Sequence, residues 1–276
     1  MAEELTAGRG AARLPMLVPR RHVYVVRSRR TGRASIGVDL TPSGECPFSC
    51  DYCQVPPPHD QRKPGAVDVG LVTRELAAAI HELRDEDVGD VAFAGAGEPT
   101  WSPSFAEALA VAIELARDIR GRPPVRVLTC AATFDRDEVL SPLVDLVRGG
   151  AGEAWVKLDG WDDESLLRFD GIRGQAAHEA RVLRLATLVP VVLQTLVAHR
   201  KGAPGVPETM AGLTAAVARL LGAGARVDRL ILTTVIRPPG SGVTDIIPYA
   251  DDELGCLRLA LSSLGLRVDA VSPEVS

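Results

Sequence analysis

Six short apolar runs rich in β-branched residues alternate with amphipathic helical runs along most of the chain, and no other feature narrows the possible folds as far. The strand-like runs cover 35–40, 90–94, 125–129, 154–158, 189–197 and 229–235, with a further short one at 266–271. Between them the apolar spacing switches to helical. Val72, Leu76, Ile80 and Leu83 follow Asp68, a natural N-cap, in a helix expected to run to about Arg84. Phe105, Leu109, Ile113 and Ala116 follow Ser102-Pro103, which reads as N-cap and first helical residue. Further helices are expected at 137–147, where Pro142 would shorten the run, and at 175–187. Two more are expected at 208–221, stopped by Gly222, and at 251–264, stopped by Gly265. Strand–helix alternation implies a parallel sheet with helices packed outside it. The unbroken apolar run 189–197 suits a strand covered on both faces. Periodicity alone fits a doubly wound sheet or a barrel. In both, function collects at the C-terminal ends of the strands.

Directly after the first strand comes Glu45-Cys46-Pro47-Phe48-Ser49-Cys50-Asp51-Tyr52-Cys53-Gln54. Three thiolates on one tight loop can hold three irons of a [4Fe–4S] cluster and leave the fourth iron open, whereas electron-transfer clusters of this type take four cysteines. The competing assignment, half of a zinc knuckle, wants four N or S ligands, usually in two pairs. Cys130 and Cys256 are single and far away, and no closely spaced His pair exists. Five cysteines, three of them clustered, also argue against a disulfide framework. A reducing cytoplasm is the compartment expected for an oxygen-sensitive cluster. The acidic start Met1-Ala2-Glu3-Glu4-Leu5 does not read as a secretory signal, and no apolar run is long enough to span a bilayer.

The C-x3-C-x2-C spacing with Tyr52 before the last cysteine resembles the radical S-adenosylmethionine (SAM) superfamily. The resemblance implies a partial (β/α)6 TIM-like barrel, an α/β fold with parallel strands. It implies two cofactors, a [4Fe–4S] cluster on Cys46, Cys50 and Cys53 and SAM chelated to the open iron. One-electron reduction then cleaves SAM to methionine and a 5′-deoxyadenosyl radical that abstracts hydrogen from a substrate. Gly95-Ala96-Gly97-Glu98-Pro99-Thr100, after the second strand, is similar to the Gly-Gly-Glu element that receives the SAM ammonium, with Ala96 in place of a more polar residue. Trp155-Val156-Lys157-Leu158-Asp159 is similar to a Lys-Leu-Asp element of wyosine-type members. Lys157 and Asp159 are two apart on a strand and share a face; a structural ion pair is the alternative to a cofactor-binding or catalytic role. Thr129-Cys130 stands where relatives commonly show Thr-Asn, so a polar contact expected there is replaced by a weak one. Cys130 and Cys256 then read as core residues. Tyr52, Thr129 and Gln194 complete the expected SAM contacts, and Arg237-Pro238 falls at another cavity-facing end.

The similarity runs over about 20–240 and points to a branch related to the tRNA wyosine-synthesising enzymes. Those carry a second cluster on three upstream cysteines, yet residues 1–45 hold none. The favoured expectation is therefore a single-cluster enzyme acting on a small molecule, peptide or nucleotide. A tRNA-base modifier and a non-catalytic Fe–S electron carrier are the alternatives. An external one-electron reductant such as flavodoxin or ferredoxin is the expected partner. The net charge is −5 at pH 7, yet residues 1–33 hold eight Arg against two Glu. This stretch is expected to be an N-terminal arm beside a core domain of residues 34–276. Its arginines could meet nucleic acid, or pair with the acidic body, which is the favoured reading.

Overall fold

In the computed structural model the described residues are 20–28, 32–55, 62–240, 242 and 244–271. Strand β1 (Val23–Arg27) pairs antiparallel with β2 (Ala34–Val38). From β2 the sheet continues in parallel through β3 (Val88–Phe93), β4 (Val125–Thr129), β5 (Gly152–Lys157), β6 (Val191–Arg200) and β7 (Val227–Thr234). A short β8 (Ile246–Pro248) lies antiparallel on the end of β6, and β9 (Val268–Val271) joins β7 in parallel. The order runs from β1 to β9 without closing. This is a partial TIM-like barrel.

The helices are α1 (Val69–Glu82), α2 (Phe105–Ala116), α3 (Asp137–Arg148), α4 (Asp163–Asp170), α5 (Gln175–Ala186), α6 (Val206–Gly222) and α7 (Asp251–Ser262). Their apolar faces meet the outward-facing strand residues. Ile36, Val38, Val91, Phe93 and Val127 pack with Leu76, Leu109 and Leu143 in one continuous core. Each such side chain contributes about 1.5–3 kcal/mol by leaving water. Asp68 caps α1 as expected, its carboxylate accepting from Leu71 N at 3.0 Å. Ser102-Pro103 does not open α2. Residues Pro99–Trp101 form a one-turn 3-10 helix closed by Ser102, and α2 starts at Phe105. Pro142 does not shorten α3, which continues to Arg148; the lost N–H costs one bond inside an otherwise well-packed helix.

Two elements escape the period rule. Helix α4 is a two-turn helix that apolar periodicity does not show. It is made by local chemistry: Asp162 and Ser165 form a capping box, and Gly171 closes it at φ 70°. Strand β1 falls inside the expected N-terminal arm, so residues 23–27 belong to the sheet. The part of the arm at 1–19 and 29–31 lies outside the described residues, as do Pro56, Pro57 and Pro58. Of the described arginines there, Arg20 pairs with Glu82 and Arg33 with Asp87. Among the described residues, no helix is long and apolar enough to cross a membrane.

Inside the sheet the side chains form three layers. The layer toward the N-terminal ends of the strands is a charge network. Ser35 donates to Asp90, Arg126 bridges Asp90 and Glu153, and Arg229 reaches Glu153 at 2.9 Å. Trp155 Nε1 donates to Glu153 at 2.8 Å, and the two guanidinium groups lie 5.3 and 5.6 Å from its ring centroid. Above it comes an apolar layer of Trp155, Val192 and Ile231, with Leu128 and Val271 against it. Beyond that layer, toward the C-terminal ends, a cavity of about 440 Å³ opens.

Candidate active site

The cysteine loop is fastened on two sides before any ligand is considered. On one side, Glu98 N donates to the Glu45 carbonyl at 3.1 Å. A Cβ on Gly97 would lie 2.0 Å from that same carbonyl oxygen, so only glycine permits the approach. On the other side the loop sits on the end of α4. Ser49 N donates to Asp170 O and Asp51 N to Phe169 O, both at 3.0 Å. Gly171 is again required there, since a Cβ would stand 2.7 Å from Ser49 O. Phe48 is buried beside His178, and Arg200 pairs with Asp51. The helix missing from the sequence reading therefore seats the cysteines.

Cys46, Cys50 and Cys53 are each half-buried on this loop. Burial pushes the Cys50 thiol well up, and the nearby Asp170 carboxyl adds to the effect. Burial likewise raises Cys53. Cys46 moves down because Cys130 hydrogen-bonds to it. A desolvated thiol is a poor acid by itself, and binding a cationic centre as thiolate releases its proton to solvent. Three sulfurs on one short loop match in number the donors that a cluster with an open iron takes, although among the described residues no group of three or more His, Cys, Asp or Glu is gathered closely enough to hold a metal ion as it stands. Cys130 is buried as expected, but it is not remote packing: it touches Cys46, and its N–H donates to Glu98 at 2.7 Å. Cys256 does not belong to the core. It lies on the exposed side of α7.

Glu98 is buried, and its carboxylate is met by four donors: Thr100 N, Thr100 Oγ1, Thr129 Oγ1 and Cys130 N. Thr129 is thus placed beside Glu98 rather than on the cavity. What the Gly95–Glu98 turn turns toward the cavity is Gly95. A Cβ on Gly95 would meet the Asp39 carboxylate at 2.2 Å. Burial raises the Asp39 pKa, and hydrogen bonds from Thr41 N and Ala96 N work against that rise.

The second cluster of polar groups lies behind Cys50. Lys157 Nζ is 3.0 Å from Asp159 Oδ2, so the two residues sharing a face do meet. The Tyr52 hydroxyl donates to Asp159 and is 3.0 Å from Asp170 Oδ1; Lys157 donates to the same hydroxyl and lies 4.3 Å from the ring centroid. Asp159 also accepts from Leu196 N at 2.7 Å, and Cys50 Sγ reaches Asp170 Oδ1 at 3.3 Å. Burial pushes the Asp170 pKa up to about 7, with Asp159 adding to it. The Lys157 pKa rises because Asp159, Cys50 and Asp170 outweigh its burial. Asp170 is the member that the sequence reading missed. Its only local signal is its place just before a helix-ending glycine.

The cavity is bounded by Tyr52, Cys53 and Gln54 of the loop, by Ala94 and Gly95, and by Lys157, Gln194, Leu196 and Arg237 at the strand ends. Tyr24 of β1 closes one flank, its hydroxyl donating to Ala94 O at 3.0 Å. Lys157 and Gln194 stand opposite one another in register on β5 and β6. Thr195, its neighbour, faces away and donates to Leu158 O.

The parallel partial barrel is an architecture shared with solved enzymes. SuiB of Streptococcus suis bound to its precursor peptide SuiA is similar at 14% identity and a TM-score of 0.61, over 87% of this chain and 49% of that one. The SAM-bound form of SuiB gives a TM-score of 0.59 at 14% identity, over 87% of this chain and 51% of that one. TYW1 with a lysine–pyruvate adduct bound gives 0.53 at 14% identity, over 88% and 84% of the two chains. The chain spans about half the length of the SuiB structures it matches. These proteins are radical SAM enzymes, and this chain shares their fold. No family model matches the chain. A stretch of 126 residues is 31% identical to GTPase Obg of Brachyspira hyodysenteriae, covering 44% of this chain and 17% of that protein.

Proposed function

We propose that this protein is a single-cluster radical SAM enzyme. Cys46, Cys50 and Cys53 would hold the [4Fe–4S] cluster, which on reduction cleaves bound SAM to a radical that removes hydrogen from a substrate. The observation that carries the reading is the fastening of the cysteine loop to both the Gly95–Glu98 turn and the end of α4, which holds three half-buried cysteines on one loop with Cys53 facing a cavity. Around that mouth the protein's own groups orient and hold. Carbonyls of the Gly95–Glu98 turn supply acceptors for an ammonium, with Glu98 bracing the turn. Lys157, held by Asp159 and Tyr52, supplies a cation for a carboxylate, and Gln194 beside it offers both a donor and an acceptor. Electrons would come from an external donor such as flavodoxin or ferredoxin, in the cytoplasm. The test is anaerobic reconstitution followed by SAM and dithionite. The expected result is about four irons and four sulfides per chain, with methionine and 5′-deoxyadenosine released. Stoichiometric zinc with no competence for iron would end the proposal.

A further inference from the structure

The cavity has a charge character that the whole chain does not. The chain is net negative, yet the residues bounding the cavity include Arg27, Lys157 and Arg237 and no Asp or Glu. Lys157 is neutralised from behind by Asp159. Arg237 has no carboxylate partner among the described residues. One of its terminal nitrogens donates to Gln54 Oε1 at 3.0 Å, which fixes the guanidinium beside the cysteine loop, and its Nε is buried with no hydrogen-bond partner among the described residues. The side chain as a whole is half-exposed, so its charge stays within reach of solvent while its one buried N–H lacks an acceptor. That lack is relieved when an anion arrives, because the planar fork matches carboxylate and phosphate oxygens. The walls beyond it are apolar, formed by Ala94, Leu128, Leu196, Val235 and Val271. An anion held at one end and an apolar body lying along the wall fit this lining.

We infer that the cavity takes, beside SAM, a small substrate that carries a carboxylate or phosphate on an apolar body, and that Arg237 is the residue that recognises its anion. The inference rests on the proposed function for the identity of the neighbouring cofactor, but not for the anion site itself. It is tested on the full, reconstituted chain by isothermal titration with three probes: naphthyl phosphate, naphthoate and the neutral naphthyl methanol. SAM is titrated in parallel. Both anions should bind more tightly than the alcohol. Arg237→Gln should weaken the anions about tenfold to a hundredfold and leave the alcohol and SAM within about twofold. Tighter phosphate binding assigns a phosphomonoester class of substrate; equal or tighter naphthoate binding assigns a carboxylate. Alcohol binding as tight as anion binding overturns the inference, and so does an Arg237→Gln variant that keeps its anion affinity. A parallel loss of SAM affinity also overturns it, by giving Arg237 to the cofactor. Should Arg237→Gln fail to take up iron, Arg237→Lys carries the test. It keeps the charge but not the fork and should cost the anions about threefold or more; no loss overturns the claim. Wild-type protein that binds the anions through Arg237 but binds no SAM would sink the proposed function and leave this site standing.

Discussion

The two ends of the barrel interior hold similar groups in opposite states of balance. At the N-terminal end, Asp90 and Glu153 are answered by Arg126 and Arg229 around Trp155, and Arg229 reaches on to Asp228 at 2.6 Å at the rim. At the C-terminal end, Lys157 alone faces Asp159 and Asp170, with Tyr52 and Cys50 taking up the remaining contacts. A balanced buried network contributes shape and rigidity. An unbalanced one holds protons near its pKa and answers to whatever charge arrives. The comparison therefore sets an end whose buried acids are each met by a cation against one whose acids outnumber the cation.

The largest effect should come from the loop between them. Cys50→Ala should abolish cluster assembly, whereas Cys130→Ala should leave iron and sulfide content intact despite its contact with Cys46. Loss of iron from the Cys130 variant would make that residue a ligand and remove the open site. The next effect sets the two ends against each other. Arg126→Met leaves Asp90 and Glu153 short of a partner and should cost about 3–5 kcal/mol of stability, read by denaturant unfolding, with SAM affinity unchanged. Lys157→Met should instead weaken SAM binding about tenfold to a hundredfold. Unchanged SAM affinity with a large fall in melting temperature would turn the C-terminal end into a second plug.

A smaller effect is expected from pH. Asp170 has its folded pKa raised to about 7 from the ordinary aspartate value of 3.8. Between those values the folded state binds the extra proton, so the cluster-free chain should lose stability as pH rises from about 4 to about 7. The slope reaches at most about 1.4 kcal/mol per pH unit. Asp170→Asn should flatten that slope; an unchanged slope would clear Asp170 of the imbalance. The smallest effect belongs to neither end. Cys256→Ser, on the exposed side of α7, should change stability by less than about 0.5 kcal/mol.

What the sequence disclosed follows from what kind of signal each part carries. The six parallel strands were legible because each pairs an apolar run with a helical period, and β4 falls at 125–129 in both readings. The cysteine loop was legible from spacing, and the Lys157–Asp159 pair from strand parity. Helix α4 was not, because eight residues with few apolar positions carry no usable period; its determinants are a capping box and one left-handed glycine. Strand β1 was hidden inside an arginine-rich stretch whose charge spoke louder than its Val23-Tyr24-Val25-Val26 run. Asp170 went unseen for the same reason as its helix. Glu98 was recognised, but its four internal donors can only be seen once Thr100, Thr129 and Cys130 are brought around it.

The contact between Gly97 and the Glu45 carbonyl ties together two loops about fifty positions apart in the chain. Neither loop can drift alone. A residue larger than glycine at 97 is admissible only if the backbone leading into Cys46 moves away, and that movement carries the sulfurs with it. The reachable sequence variants of one loop are therefore conditional on the state of the other, and an insertion in either must be answered across the contact in the same lineage or be lost.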